Sequence, residues 1–334
     1  MKVSIALCTY NGAEFIKEQI QSILNQTIAP DEIIVCDDGS TDNTLEIIQQ
    51  IDILHNCKIF RNNTNLGTIK NFEKAIANCK GEIVFLADQD DLWQLDKIEK
   101  LLDFFRNNPS KKVVFTDALL VDQEGKSLEK NLWKEVRFGT KEQNLWNKGQ
   151  EIDVLIQGNR VTGCTMAFNR AFVQQYLPFP QDLNSMNFIH DTWIAWVGAA
   201  NHVIGFIDQP LVSYRQHEKQ QIGATSKVER KKIGFFERFS RSSQDKKLVY
   251  QKQAFYFSGI LAMFKRFNVS NVEPIHKIER AKNHFENRAS ESNSFFVKLN
   301  LVTKGVIRGD YHHFVDAESK WYNPWLTILG DLFE

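Results

Sequence analysis

The 334-residue sequence lacks three features that would each have indicated a particular class of protein. Lys and Arg number 41 in total, and so do Asp and Glu. The chain therefore lacks the overall positive charge that would indicate a nucleic-acid partner. No apolar run approaches the roughly 18 residues of a membrane span, and the N-terminal apolar stretch is too short for a signal peptide. The five cysteines form no CxxC pair, which fits a reducing compartment. These absences favour a cytoplasmic globular protein that meets charged ligands only locally.

Two hydrophobic patterns alternate in the first part of the chain. Short apolar, β-branched runs predict strands in KVSIALC, DEIIVCD, CKIFR and EIVFLAD. Helical spacing predicts helices over 13–25, 42–51, 68–79 and 94–107. This repeated order of strand and helix predicts an α/β fold with a parallel sheet covered by helices on both faces. Further strands are predicted at 112–116 and 202–207, with an apolar TGCTMAF run before a helix near 191–199.

Three carboxylates crowd behind an apolar run in FLADQDDLW, residues 85–93. Asp88 and Asp90 are two positions apart, so a continuing strand would point both side chains to one side. Like charges repel there unless a cation lies between them, and such oxygen ligands suit Mg²⁺ or Mn²⁺. The chain has neither GxGxxG nor GxxxxGK[ST], so we expect a metal to hold any bound phosphates. The alternative is that Asp90 or Asp91 caps a helix beginning near Trp93.

Two more polar clusters follow predicted strands, at the sheet edge where ligands bind in such folds. CTYNGAE supplies an aromatic ring, amide and hydroxyl groups and a carboxylate, and CDDGSTDNT supplies Asp38 before a glycine turn. A base can stack on Tyr10 and donate its imide N–H to Asp38. The clusters therefore predict a nucleotide ligand.

In order along residues 1 to about 220, LCTYNG, IIVCDDGSTD, NLGTIKNF and FLADQDDLW resemble the glycosyltransferases of family 2. The resemblance implies a GT-A fold, in which helices flank a mostly parallel sheet, and transfer of a sugar from a nucleoside diphosphate with inversion. The later segments VTGCTMAF, HDTWIAW and LVSYRQH are similar to a subgroup rich in bacterial rhamnosyltransferases of cell-surface polysaccharide synthesis, whose donor is commonly dTDP-L-rhamnose. A UDP-hexose donor is the alternative, and an inactive nucleotide-sugar-binding module is a further one.

Matching the motifs position by position assigns roles to residues of this chain. Asp90 becomes the direct metal ligand and His217 a second one, although a lone His is more often structural. Asp191 becomes the general base, a role compatible with capping the helix that follows, and His190 lies at the substrate. The residues that the resemblance places around the nucleotide are Thr9, Tyr10, Asn11, Glu14, Asp38, Lys70 and Asp88. Separately, Trp93 offers a flat face to a sugar ring, with burial in the core as its alternative.

The same motifs suggest a division of the chain. We predict a GT-A catalytic domain over 1–220, with a nucleotide-binding half at 1–110 and an acceptor-binding half at 111–220. A basic, mainly helical region is predicted over 221–334. The QxxRW motif of processive family members is absent, which favours addition of one sugar per binding event.

A basic segment opens this C-terminal region. Residues 227–247 contain eight Lys or Arg against three acids, with apolar side chains interleaved. Such a helix suits the anionic inner face of a membrane, where lipid-linked glycan acceptors lie. The alternative is a solvated linker helix. The predicted partners are therefore a dTDP- or UDP-sugar donor, a lipid-linked glycan acceptor and peripheral contact with an anionic membrane.

Overall fold

The computed structural model describes residues 1–51, 57–181, 183, 188–218, 220, 243–290, 295–314 and 323–333. The chain packs as two compact units, one from 1–149 with 160–226 and the other from 150–159 with 227–334. Segment 150–159 thus packs with the C-terminal helices, which no sequence pattern indicated. A catalytic domain bounded at 220 stays a prediction.

The four predicted strand and helix repeats are confirmed in the first unit. The strands are β1 (Val3–Thr9), β2 (Glu32–Asp37), β3 (Cys57–Arg61) and β4 (Ile83–Ala87), all parallel to their neighbours in the order β3-β2-β1-β4. The helices are α1 (Ile16–Leu24), α2 (Thr44–Gln50), α3 (Thr68–Asn78) and α4 (Lys97–Asn107). Every residue of β1, β2 and β4 is buried, as expected for strands that are apolar on both faces.

The sheet continues beyond β4 with mixed strand directions. Its further strands are β5 (Leu92–Trp93), β6 (Val113–Val121), β7 (Ser127–Asn131), β8 (Ala167–Asn169) and β9 (Ile204–Arg215). β8 is antiparallel to β4 and β6, whereas β9 is parallel to β6 and antiparallel to β5. The predictions at 112–116 and 202–207 located β6 and β9 but stopped short of their second halves. β5 and β7 were not predicted.

The remaining helices of the first unit are α5 (Leu132–Glu135), α6 (Thr140–Asn147), α8 (Arg170–Gln174) and α9 (His190–Ala200). All eleven residues of α9 are buried, because the helix is apolar on nearly every side. A 3₁₀ turn at Gly163–Thr165 leads into β8. The predicted helix near 191–199 is confirmed as α9.

Helices form the described part of the second unit. They are α7 (Glu151–Ile156), α10 (Ser243–Arg266), α11 (Val272–Ala289), α12 (Phe295–Ile307), α13 (Asp310–His313) and α14 (Asn323–Phe333). Among the described residues, no helix combines the length and the apolar character needed to cross a bilayer. The predicted membrane-binding segment 227–247 lies outside the described residues up to 242.

Candidate active site

The loops after β1, β2 and β4 meet at one edge of the sheet, as parallel strands require. The Tyr10 N–H donates to Gln89 Oε1 at 2.8 Å, and Gln89 Nε2 donates back to the Tyr10 carbonyl at 3.1 Å. The Asn11 N–H donates to Ser40 Oγ at 2.9 Å, which joins the β1 loop to the β2 loop. The three polar clusters that the sequence singled out are therefore neighbours in space.

Asp38 is buried and holds the loop that leads into α3. Its carboxylate accepts hydrogen bonds from the Leu66 N–H at 2.8 Å, the Gly67 N–H at 2.9 Å and Asn62 Nδ2 at 2.8 Å. Gly67 has a φ of +81°, a conformation that glycine adopts at little cost. Asp38 thus has a structural role in the described fold, and its contact with a base stays a prediction.

The other predicted nucleotide residues lie around the same edge. Tyr10 is 41% exposed, so a ring face is open to solvent. Thr9 Oγ1 donates to Asp37 at 3.3 Å, and Glu14 accepts from Gln123 Nε2 at 2.6 Å. Lys70 pairs with Glu73 at 2.9 Å. Their nucleotide contacts stay predictions.

The carboxylates of FLADQDDLW lie directly beyond β4, close enough for their negative charges to repel one another. The pKa of the Asp88 carboxyl is raised, first by burial and then by the charges of Asp90 and Asp191. Asp91 is completely buried, and burial together with the charges of Asp90 and Asp88 raises its pKa well above the usual range. α4 begins only at Lys97, with Asp96 at its N-cap position, so the alternative that Asp90 or Asp91 caps this helix is wrong.

Asp90 and His217 face each other, as the predicted metal ligands should. Asp90 Oδ2 lies 2.8 Å from His217 Nε2, and both side chains are largely buried. Two adjacent ligands of one octahedral ion at about 2.1 Å are themselves about 3 Å apart, so this spacing fits a shared cation. The carboxylate oxygen suits both Mg²⁺ and Mn²⁺, whereas the imidazole nitrogen suits a transition metal and so favours Mn²⁺ of the two. The described residues therefore fit the predicted metal.

A second group of potential ligands fits such an ion less well. One ligand atom each from Asp88, Asp91 and Cys164 lies within 4.8 Å of the others. Burial raises the pKa of the Cys164 thiol well above its ordinary value, so it stays protonated, and a protonated thiol does not suit a hard cation. Asp91 also accepts the backbone N–H of Arg215 at 3.2 Å. Asp90 with His217 therefore stays the predicted metal pair in preference to this group.

Two basic side chains, Lys97 and Arg215, are buried beside the crowded carboxylates, and the sequence did not single out either of them. Lys97 Nζ donates to the Cys164 carbonyl at 2.7 Å, and burial lowers the pKa of its ammonium to about 7. Arg215 Nε donates to the Asp90 carbonyl at 2.8 Å, while its Nη2 pairs with Glu18 at 2.7 Å. Arg215 thus fixes the loop that carries Asp90 and stands two residues before the proposed ligand His217.

Asp191 lies in the first turn of α9, in a buried carboxylate site. Its Oδ2 accepts the Gly163 N–H at 2.7 Å, and its Oδ1 accepts the Thr192 N–H. Burial raises the pKa of the Asp191 carboxyl to about 6, although these hydrogen bonds lower it in part. The helix has Ile189 at its N-cap position, so Asp191 is not the N-cap residue that the sequence suggested, although its carboxylate does accept an N–H of the first helical turn.

The two predicted sugar contacts, His190 and Trp93, are both buried. The His190 ring stacks on Phe72 with 4.0 Å between centroids, and burial lowers its pKa to about 3. Among the residues that the structure describes, neither ring nitrogen of His190 has a hydrogen-bond partner. Trp93 is only 4% exposed, and Lys97 Nζ lies 3.6 Å from its ring centroid. This placement matches the core alternative for Trp93, and a sugar contact at either residue stays a prediction.

Replacing Gly163 by Ala should reduce activity, because the 3₁₀ turn approaches α9 very closely. A Cβ at this position would lie 3.1 Å from His190 Nε2 and 3.4 Å from the Asp191 carboxylate. Displacing a positioned catalytic group by as little as about 1 Å can reduce the rate roughly 10²-fold. We expect kcat to fall by about tenfold or more while donor affinity stays close to native.

Gly139→Ala is the matched control, since the nearest atom to its Cβ would be 3.6 Å away. Steady-state kinetics of both variants, with thermal melting to confirm folding, measure the effect. Equal activity of Gly163→Ala and Gly139→Ala would contradict a positioning role for the turn.

Comparison with known proteins bears on the family and the fold of this chain. The model of "Glycosyl transferase family 2" matches residues 4–177. The dTDP-rhamnosyl transferase RfbG of Shigella flexneri is 28% identical over 276 residues, which cover 77% of this chain and 84% of RfbG. Chondroitin synthase of Escherichia coli is 37% identical over 123 residues, or 37% of this chain, and that match spans only 18% of the synthase.

The fold comparison covers more of the chain. The crystal structure of S. aureus TarS 1–349 with UDP-GlcNAc superposes with a TM-score of 0.55 at 20% identity, covering 99% of this chain and 80% of that one. At this identity the likeness shows the fold alone, and the predicted GT-A fold is confirmed. The match of the family model over more than half of the chain establishes that the protein belongs to glycosyl transferase family 2.

Proposed function

We propose that the protein transfers one L-rhamnose from dTDP-L-rhamnose to a hydroxyl of a lipid-linked glycan, with inversion, in cell-surface polysaccharide synthesis. The catalytic part of the proposal rests on the position of Asp191. This residue is a buried carboxylate at the start of α9, and its charge helps to raise the pKa of Asp88 beyond β4. The similarity to RfbG over 84% of that protein supports the choice of donor.

In this reaction the acceptor hydroxyl displaces the nucleoside diphosphate from the anomeric carbon, and different residues would assist the attack and the departure. Asp191 Oδ1 is engaged by both the N–H and the hydroxyl of Thr192, whereas Oδ2 has one bond from Gly163 and retains a lone pair. This oxygen can take the proton of the acceptor hydroxyl as that hydroxyl attacks the anomeric carbon. Asp90 and His217 would hold Mg²⁺ or Mn²⁺, which when bound would supply positive charge to the departing diphosphate.

A UDP-hexose is the second candidate donor, because TarS, which shares the fold, was crystallised with UDP-GlcNAc. A donor panel separates the candidates. Binding of dTDP-rhamnose, UDP-glucose, UDP-galactose and UDP-GlcNAc is measured by calorimetry with Mn²⁺ present, and slow donor hydrolysis is followed for each. Tightest binding and turnover with dTDP-rhamnose are expected. Preference for a UDP-sugar would reject the rhamnose assignment, and tight binding without any turnover would favour an inactive binding module.

The transfer rate should fall in acid because the proposed base must be ionised. Burial raises the pKa of Asp191 to about 6, so this carboxyl takes up a proton as the pH falls through that value and then cannot accept another. We expect kcat/KM for the acceptor to be constant above the pKa and to decline about tenfold per pH unit below it. The measurement is a pH profile of initial rates at subsaturating acceptor. A profile that stays flat down to pH ~4.5 would mean that the base has an ordinary carboxyl pKa or is another group.

A further inference from the structure

The outward face of α12 is apolar and uncharged. At helical spacing this face contains Phe295, Phe296, Leu299, Val306 and Ile307, with Asn300 and Thr303 between them. Phe296 and Ile307 are each 80% exposed, and the other three apolar side chains are between 37% and 47% exposed. Single exposed apolar residues are ordinary, but five on one helix face form a contiguous patch that normally marks an interaction surface.

The neighbouring helix α14 adds to this apolar character. Ile328 of α14 packs with Val302 of α12 and Tyr311 of α13 in a small buried cluster. On its exposed side α14 carries Trp325 at 52% and Leu329 at 50% exposure, one helical turn apart. Tryptophan is enriched where a protein meets the boundary between water and lipid.

Several basic side chains on and near α12 have no carboxylate partner among the residues that the structure describes. A pocket between the helices of this unit is lined by Lys247, Arg288, Lys298, Lys304 and Arg308, with two carboxylates. Both carboxylates are already engaged, Asp331 by Arg288 at 2.8 Å and Asp310 by Arg280 at 2.5 Å. Within the described ranges, no carboxylate pairs with the remaining four cations of the pocket, so the pocket has a net positive charge.

We propose that the apolar face of α12, with Lys298 and Lys304 on its two borders, forms a docking surface for an anionic phospholipid membrane. The apolar side chains enter the boundary between headgroups and acyl chains, while Lys298 and Lys304 extend from the borders of that face to lipid phosphates. The surface could in principle bind either a membrane or a second copy of the chain, and its charge favours the membrane. A two-fold contact between copies would bring the same unneutralised cations of α12 against each other, whereas an anionic leaflet complements them.

The test uses the full chain and two kinds of vesicles, one zwitterionic and one with roughly 30% anionic phosphatidylglycerol. The native protein should sediment with the anionic vesicles at low salt and much less with the zwitterionic ones. Phe296→Ser with Ile307→Ser removes the two most exposed apolar groups, and Lys298→Ala with Lys304→Ala removes charge. Each pair of substitutions should weaken binding by about tenfold or more, and only the charge variant should lose most of its salt dependence.

Phe255→Ser with Val272→Ser is the matched control, since these apolar residues are 58% and 61% exposed on α10 and α11. It should bind vesicles like the native protein, and thermal melting confirms that every variant is folded. No binding at low salt, or equal loss in the control, overturns the proposal. So does a native dimer that the Phe296 and Ile307 substitutions dissociate, because a second copy would then occupy the surface. Vesicle binding is measured without donor or acceptor, so it can fail independently of the proposed transfer reaction.

Discussion

Asp191→Asn should reduce transfer to the true acceptor by about 10²- to 10⁴-fold, the usual contribution of a positioned general base. Donor binding should stay close to native, because in the proposed mechanism Asp191 acts only on the proton of the acceptor. The two quantities are measured on the same preparation, donor affinity by calorimetry and transfer by single-turnover rate. Near-native transfer by the variant would falsify the assignment of the base and direct attention to Asp88.

Asp191→Asn should also destabilise the fold, so its control must separate lost stability from lost catalysis. The two carboxylate oxygens of Asp191 accept backbone N–H groups from Gly163 and Thr192, so an amide must leave one of them unpaired. Leaving a buried donor unsatisfied costs about 1–3 kcal/mol of stability. Asp117→Asn is a control for replacing a buried, hydrogen-bonded carboxylate by an amide: its Oδ1 accepts the Ala118 and Trp133 N–H groups, and its Oδ2 accepts from Asn131 Nδ2, so only the Asn131 bond faces a new donor. Transfer is therefore normalised to the folded fraction of each variant. If Asp191 is the base, Asp191→Asn should lose transfer per folded molecule and Asp117→Asn should not.

The first half of the fold could be read from the sequence because its signals are strong and local. Strands β1, β2 and β4 are apolar on both faces, and their carboxyl ends necessarily share one edge. That geometry alone predicts that Tyr10, Asn11 and Asp88 lie close together. The second half gives weaker signals. β7 is SLEKN, exposed and without an apolar face, and β5 has only two residues.

The sequence predicted the acidic residues of the candidate site but not the two basic residues buried beside them, Lys97 and Arg215. Lys97 stands in the polar part of a helical pattern, yet it is completely buried against Trp93 and the Cys164 carbonyl. Arg215 ends a strand whose second half was missed, and its hydrogen-bond partners Glu18, Asp90, Asp91 and Gln123 come from distant parts of the chain. Charged residues are seldom fully buried, so a pattern of polarity places both side chains in solvent. An arginine within an apolar run, as in LVSYR, was the one available signal.

A divalent cation should tighten nucleoside diphosphate binding only while Asp90 and His217 are both present. In the described structure these side chains contact each other at 2.8 Å, so the same geometry would also suit a simple hydrogen bond or ion pair. The two explanations predict different linkage. If Asp90 and His217 are metal ligands, the affinity of the native protein for the nucleoside diphosphate should fall about 10²-fold or more when EDTA replaces Mn²⁺. The reason is that a bound metal contributes several kcal/mol to the binding free energy of an anionic ligand. Asp90→Asn and His217→Ala should each remove most of that difference.

Exposed residues of the same types provide the controls for this prediction. Asp103 is about half exposed and pairs with Arg106 one helical turn away, and His276 is exposed on α11. Asp103→Asn and His276→Ala should therefore retain the full dependence on Mn²⁺. Calorimetric titrations of each variant with dTDP and with UDP, in Mn²⁺ and in EDTA, measure the linkage directly and require no acceptor. If native protein binds equally well in both buffers, Asp90 and His217 form a structural pair, and positive charge for the diphosphate must come from side chains such as Lys70, whose ammonium would then have to leave Glu73.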